Sequence, residues 1–188
     1  MRLLSLLLAF VATACLTPLR GAMRPSPRPL SLTAAPGKAR LLFLRSEHFV
    51  GGALSVFYFD GVRGQVLGKS VNDSAFAVDV EPGEYQVCGV SIAEGAWGGP
   101  SPLPTPLPGA SSRLTKLTVA EGKTYALRVR IGMGPRLEAW PVLPRTPRAR
   151  VLEEELASLR AVEPVSDASE FVRMTDPRQQ AEWFDLCL

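Results

Sequence analysis

Residues 73–92, DSAFAVDVEPGEYQVCGVSI, contain the alternation that decides the fold. Apolar side chains occupy every second position from Phe76 to Val80, and the same period resumes at Tyr85. Glu-Pro-Gly-Glu stands between the two runs, at 81–84. Proline pre-sets φ at the first central position of a turn, and glycine supplies a positive φ at the second. The stretch therefore predicts a tight turn between two paired strands.

Similar short runs occur before and after this stretch. They lie at 38–47, 53–60, 62–68, 113–120, 124–132 and 136–142. Most of them end at a turn signal such as Asp60-Gly61, and Gly64 is a candidate bulge within the third run. No helical period interrupts the series. The pattern predicts a mainly β domain, an antiparallel sandwich or barrel, and we expect a β-sandwich of about seven or eight strands.

Helix signals appear only after the last of these runs. Thr146 precedes Pro147, which is the order of an N-cap residue and the first helical position. Leucines at 152, 156 and 159 then form one stripe. The sequence therefore predicts a short helix after the sandwich.

A second helix start lies near the end of the chain. Asp176 precedes a proline, and Gln179 stands three positions after it, as in a capping box. The residues expected on one face of the helix that follows are Trp183, Leu186 and Cys187. One or two short C-terminal helices are thus expected, and this tail is apolar enough to dock on the domain.

The amino-terminal residues have the character of an export signal. Residues 3–14 form an uncharged apolar run that, at 1.5 Å per residue, spans only about 18 Å, too short for a bilayer of ~30 Å. Two small residues, Thr13 and Ala14, directly precede Cys15 and resemble a bacterial lipobox. We predict a signal peptide at 1–14 and lipidation of Cys15, which multiple acyl chains would hold stably in a membrane. The alternative is an ordinary signal peptide with an incidental cysteine.

The remaining chain divides by composition. Residues 15–37 are rich in proline and show no lasting periodicity, which predicts a semi-extended tether. Residues 38–160 hold the predicted sandwich and its terminal helix, and 161–188 form a C-terminal extension. Arginines in the tether could contact anionic lipid headgroups, or simply be solvated.

Charge gives little reason to expect a nucleic-acid partner. The net charge is +3, with 21 basic and 18 acidic side chains. A nucleic-acid protein needs a concentrated basic face, which this sequence does not display.

The residues that could act in catalysis form no consistent set. His48 is the single histidine, so one chain cannot form a multi-histidine metal site. The carboxylates near the central turn are Asp73, Asp79, Glu81 and Glu84. They could form a calcium site or an acid–base pair, although solvated turn carboxylates are far commoner. We expect no enzymatic activity, no metal and no cofactor.

Four other residues are candidates for bonding or contact. If Cys15 is acylated, Cys88 and Cys187 remain, and in an oxidising compartment they would form a disulfide or persist as two buried thiols. Trp97, in the proline-rich loop 93–112, would contact a partner or fold back to cap the sandwich. Tyr58 would add an aromatic contact for a ligand.

Several motifs together resemble a family of uncharacterised β-sandwich domains in small bacterial lipoproteins. The motifs are Arg40-Leu41 to Arg45, Asp60-Gly61, the Pro-Gly-Glu-Tyr turn at 82–85, and Glu-Gly-Lys-Thr-Tyr at 121–125. The resemblance covers about two-thirds of the chain. It implies a lipid-anchored envelope protein, and Leu16 after the cysteine implies the outer membrane facing the periplasm. We expect a binding or scaffolding role toward an envelope protein or glycan; the alternative is binding of a small molecule or glycan.

Overall fold

A computed structural model describes residues 23–46, 54–93, 111–131 and 135–165, without the side chains at 54, 92–93, 111–114, 131 and 135–136. The strands are β1 (Ala39–Arg45), β2 (Leu54–Asp60), β3 (Gln65–Ser70), β4 (Ser74–Val80), β5 (Gly83–Ala93), β6 (Ser111–Val119), β7 (Thr124–Ile131), β8 (Pro135–Val142) and β9 (Arg160–Ala161). Helix α1 spans Pro147–Ser158. Within these ranges, no helix is long and apolar enough to cross a membrane.

The strands form two sheets, which confirms the predicted β-sandwich. Sheet I has the order β8-β7-β1-β4-β9, and sheet II has the order β3-β2-β5-β6. Most neighbours are antiparallel, as expected. The pairs β1–β7 and β4–β9 are parallel, so sheet I is mixed rather than purely antiparallel.

The central turn at 81–84 does not close a hairpin, and that prediction is wrong. β4 pairs with β1 and β9 in sheet I, whereas β5 pairs with β2 and β6 in sheet II. The proline and glycine instead carry the chain from one sheet to the other, and Gly83 has a φ of 146°. A hairpin and a crossing corner need the same turn residues, so local sequence alone does not separate them.

The third strand begins at Gln65, three residues later than predicted, because the turn after β2 occupies residues 61–64. Residues 61–64 form the turn after β2, and the Gly64 N–H donates to the Asp60 carbonyl at 2.7 Å. Gly64 has a φ of 63°, which suits glycine in a turn. The bulge predicted at Gly64 is therefore wrong; the register shift lies further along, between Tyr58 and Phe59 on β2.

Three aromatic rings form the centre of the core between the sheets. Phe43 stacks on Phe76 with ring centroids 4.7 Å apart, and it lies 4.6 Å from Tyr58. All three are fully buried. Gly68 packs directly on this group, because a Cβ there would lie 2.3 Å from the Phe76 ring. The core is closed around these rings by aliphatic residues of both sheets.

Helix α1 covers the outer face of sheet I. Thr146 caps its N-terminus, with its hydroxyl accepting from the Ala149 N–H at 3.2 Å. Leu152 is buried against Leu42 and Ala126. The other two predicted stripe residues, at 156 and 159, pack against the same cluster, so the first predicted helix is confirmed. The second predicted helix lies outside the described residues.

The described part of the predicted tether is packed on the domain. The Ser26 N–H donates to the Ala161 carbonyl at 2.9 Å, and Arg40 donates to the Ser31 carbonyl at 2.8 Å. Leu30 and Leu32 pack beside α1 on sheet I. Residues 23–37 thus pack on the domain along part of their length. Proline richness indicates an extended backbone, and an extended segment can also lie along a sheet.

Candidate functional site

The strand ends divide the sandwich into two ends of different character. The motif end carries Lys38 and the turns 61–64, 81–82 and 120–123. The loop end carries residues 71–73, the last residues of β1, β3, β5 and β7, and the first residues of β2, β4, β6 and β8. Pairing of Arg45 with Ser74 and of Leu54 with Ala93 places those strand ends together at the loop end. Three of the four motifs therefore lie at the motif end, whereas Arg45 of the fourth lies at the loop end, with the strand ends that flank the predicted contact loop.

Asp60 organises the motif end. Its side chain is fully buried, and one oxygen accepts from the Val62 N–H at 3.0 Å and the Gln86 N–H at 3.4 Å. Its other oxygen accepts from Arg63 Nη1 at 2.7 Å. The Asp-Gly motif thus places a carboxylate where turn and strand donors converge, which is how a buried charge is stabilised.

Arg63 joins this turn to the Pro-Gly-Glu-Tyr motif. Its guanidinium lies 4.2 Å from the centroid of the Tyr85 ring, and it donates to the Glu84 carbonyl at 3.0 Å. The Tyr85 hydroxyl in turn donates to the Glu81 carbonyl at 2.8 Å. Burial raises the pKa of Tyr85, and the hydrogen bond to Asp60 raises the pKa of Arg63. Both groups keep their ordinary charge at neutral pH, which suits a fixed structural contact.

A second set of ion pairs ties β1 to β4. Arg40 Nε and Nη2 donate to the two Asp79 oxygens, each at 2.8 Å, which is the bidentate geometry. This hydrogen bonding lowers the pKa of Asp79. Lys38 pairs with Glu81 nearby. Two of the turn carboxylates that were expected to be solvated therefore form ion pairs. Asp79 pairs with Arg40 on β1, and Glu81 pairs with Lys38, which directly precedes β1.

The Glu-Gly-Lys-Thr-Tyr motif begins the parallel pairing of β7 with β1. The Gly122 N–H donates to the Lys38 carbonyl at 2.8 Å, and the Arg40 N–H donates to the Lys123 carbonyl at 2.9 Å. Gly122 has a φ of 68°, which explains glycine in the turn. The Tyr125 hydroxyl accepts from the Ala120 N–H at 3.1 Å and closes the turn. This motif therefore also stabilises the fold, by joining the turn before β7 to β1.

The carboxylates described at the motif end are not gathered at one point. They are spread over separate pairs, and no group of three potential metal ligands occurs among the described residues. The side chains of Arg40, Asp60, Tyr85 and Tyr125 each contact a partner of the domain itself. Together, these contacts fix the positions of the three turns at the motif end.

Tyr58 occupies a different position from the one predicted. Its ring is fully buried, and its hydroxyl lies 2.6 Å from the Ser70 Oγ. Burial raises the pKa of this phenol. A surface partner cannot reach the ring, so the predicted contact role of Tyr58 is corrected to a role in the core.

A cation–π cluster on sheet I was not found by sequence reasoning. The ring of Trp140 on β8 has the guanidinium of Arg148 at 4.7 Å and that of Arg128 at 5.3 Å. Arg128 also pairs with Glu155, which accepts from the Ser46 hydroxyl at 3.1 Å. The cluster joins α1 to β7 and β8. Its members are far apart in sequence, and no local spacing signals it.

The other predicted sites are only partly visible. Cys15, Trp97 and Cys187 lie outside the described residues, as does His48. Cys88 is fully buried on β5. The lipidation of Cys15, the contact through Trp97 and the bond between Cys88 and Cys187 therefore stay predictions.

Comparison with known proteins adds no assignment. A scan against protein-family models finds no match for this chain, and a search of curated proteins finds none at a significant level. The resemblance to the lipoprotein domain family rests on the motifs alone.

Proposed function

We propose that the chain is a lipid-anchored, non-enzymatic lipoprotein of the bacterial cell envelope. In this proposal acylated Cys15 holds the protein at the membrane, and the sandwich presents its loop end to an envelope protein or glycan. The proposal combines the lipobox-like residues with the division of the sandwich into two ends. It places the protein at the outer membrane, facing the periplasm.

The observation that carries the proposal is the internal engagement of the motif end. Asp60 binds Arg63 and two backbone N–H groups, and Asp79 binds Arg40 on both oxygens. A general acid or base must instead reach a substrate proton. Polar groups that serve the fold in this way favour a rigid scaffold over an enzyme. Rigid scaffolds commonly carry binding residues on the connecting loops.

The path of the amino-terminal segment supports an orientation at the membrane. Residues near Pro25 pair antiparallel with Val162, next to β9, which runs parallel to β4. β4 runs from the loop end to the motif end, so residues 26 to 23, followed back along the chain, run toward the motif end. Residues 16–22 are the whole linker between Cys15 and the described fold, about 23 Å when fully extended. An anchor there holds the motif end near the bilayer and the loop end away from it.

The alternative function is binding of a small molecule or glycan at the loop end. It keeps Trp97 and the 93–112 loop as the contact residues, and it no longer includes Tyr58, which is in the core. This alternative shares the anchor and differs only in the chemical class of the partner.

The test is crosslinking in native membranes from either end of the sandwich. A photoreactive residue replaces Trp97 in one variant and Val62, which is exposed at the motif end, in the matched control. We expect partner adducts from position 97, identified by mass spectrometry, and lipid adducts or none from position 62. Adducts to one protein partner from position 62 alone would contradict the orientation. Fractionation with Cys15→Ser tests the anchor separately, with Cys187→Ser as control.

A further inference from the structure

The outer face of sheet II is apolar and completely shielded. Val56 and Tyr58 point into the core, so the alternating residues Phe57 and Phe59 face outward. Phe57 is opposite Val90, and Phe59 is opposite Cys88, which puts all four side chains on this face. Their exposed fractions lie between 0 and 2%. A sheet face bare to solvent would leave such side chains accessible.

Lys69 lies in the same shielded layer. It is opposite Phe57 in the pairing of β2 with β3, and its Nζ is 5.3 Å from the centroid of that ring. The residue is 1% exposed. A buried ammonium is stable only beside a carboxylate or several acceptors. The covering layer must therefore be apolar and must also accommodate a buried ammonium group.

No element within the described ranges provides this cover. Helix α1 and residues 30 and 32 pack on the outer face of sheet I instead. β9 pairs at the edge of sheet I, and β8 lies against the edge strand β6. The cover must come from the rest of the chain.

We propose that the C-terminal segment, residues 166–188, lies against the outer face of sheet II as a third layer. Its apolar residues are Phe171, Val172, Met174, Trp183, Phe184, Leu186 and Leu188. It also carries five acidic side chains against two arginines, which suits Lys69. Residues 1–22 contain no acidic side chain, and 94–110 contain only Glu94. Residues 47–53 likewise contain a single acidic side chain, Glu47, so both properties are most concentrated in the C-terminal segment.

The topology brings the chain to the right edge. β9 pairs with β4, and β4 lies against β3, which is the edge strand of sheet II. Sheets pack about 10 Å apart, and reaching the outer face takes about 10 Å more, so at about 3.3 Å per extended residue roughly six residues carry the chain from β9 past β3. The remaining residues suffice for a short amphipathic helix over the face.

The test measures the accessibility of Cys88 beneath the segment. In the full chain carrying Cys15→Ser and Cys187→Ser, Cys88 is the single remaining thiol of the three cysteines. Its alkylation by iodoacetamide under native conditions reports local opening of the cover. Trp183→Asp is expected to accelerate alkylation at least ~10-fold, whereas the matched Trp97→Asp leaves the rate within about twofold of the parent chain.

Every other pattern overturns the proposal. Acceleration by Trp97→Asp alone identifies the 93–112 loop as the cover, and acceleration by neither variant places the cover elsewhere. Equal acceleration by both shows that Cys88 reports general loosening. Hydrogen exchange of the β7 and β8 amides separates local from global opening. If Trp183→Asp opens these strands as well, the milder Leu186→Ala replaces it, and an unchanged alkylation rate in that variant also contradicts the docking.

Discussion

The guanidinium of Arg63 lies over the ring of Tyr85, with 4.2 Å between its Cζ and the ring centroid. The same side chain pairs with the buried Asp60. This relationship joins the turn after β2 to the corner before β5, two motifs that are separated in the sequence. It gives residues of both motifs a role in stabilising the fold.

Removal of Arg63 should destabilise the fold measurably. Arg63→Ala leaves the Asp60 carboxylate buried without its cation and removes the cation–π contact. Because the arginine is partly exposed, we expect a loss of about 1–2 kcal/mol in the free energy of unfolding. Urea denaturation measures it. The control is Arg130→Ala, whose pair with Glu138 is exposed and should contribute below ~0.5 kcal/mol. Equal losses in the two variants would show that the motif-end pair has no special role.

Two glycine substitutions separate backbone strain from steric clash. Gly68→Ala puts a methyl group 2.3 Å from the Phe76 ring, which is stacked on Phe43 and cannot turn aside. Overpacking and the positive φ together should cost at least ~3 kcal/mol. Gly37 also has a positive φ, of 75°, but nothing lies within 4 Å of its Cβ position. Gly37→Ala should cost about 1 kcal/mol from strain alone. Thermal unfolding that ranks the two variants the other way would contradict the packing described for the core.

The bidentate pair of Arg40 with Asp79 predicts a pH-dependent contribution to stability. Arg40 lowers the pKa of Asp79 in the folded state, so the ionised pair stabilises the fold above the unfolded aspartate pKa of about 4. This contribution is lost as the pH falls through the lower folded pKa. Asp79→Asn should therefore reduce the free energy of unfolding by up to ~1 kcal/mol at pH 7, since the pair is partly solvated.

The gap between Asp79→Asn and the parent protein should narrow toward pH 3. Glu121→Gln, at an exposed turn position, is the matched control and should show little difference at either pH. Urea midpoints measured across this range check the prediction. A gap for Asp79→Asn that stays constant would mean that the pair does not stabilise the fold through its charge.

The cysteines offer a covalent test of the third layer. If residues 166–188 cover Cys88, Cys187 is in reach of it, and exchange with a disulfide oxidant of the envelope would join the two sulfurs while the oxidant is reduced to two thiols. Peptide mapping of the protein from its native compartment, without reduction, should then recover a peptide linking β5 to the C-terminus. Recovery of both cysteines as free thiols would support the alternative of two separate buried thiols.

Strand positions could be predicted because they follow from local alternation. The period of two from Phe76 to Val80 and the one resuming at Tyr85 match β4 and β5. The pairing of these strands could not be predicted, because a Pro-Gly turn serves a hairpin and a sheet crossing equally. The parallel pairing of β1 with β7 depends on contacts between residues far apart in the chain.

The contacts at the motif end could not be predicted from local sequence either. Asp60-Gly61 is recognisable as a turn, but the contact of Arg63 with Tyr85 exists only once β2 and β5 are neighbours in sheet II. Tyr58 was predicted to contact a ligand, but it is buried. An aromatic residue in a strand has the same local sequence pattern whether it lies in a core or on a surface. The Tyr58 neighbours Phe43 and Phe76 come from sheet I and decide that it is buried.

The most direct test of the proposed anchor is the intact mass of the protein extracted from membranes of its own cells. We expect a chain that begins at Cys15, has lost residues 1–14 and carries the added mass of a diacylglyceryl group and an amide-linked acyl chain. A chain that begins elsewhere, or one with an unmodified Cys15, would contradict the lipid-anchored function at its root.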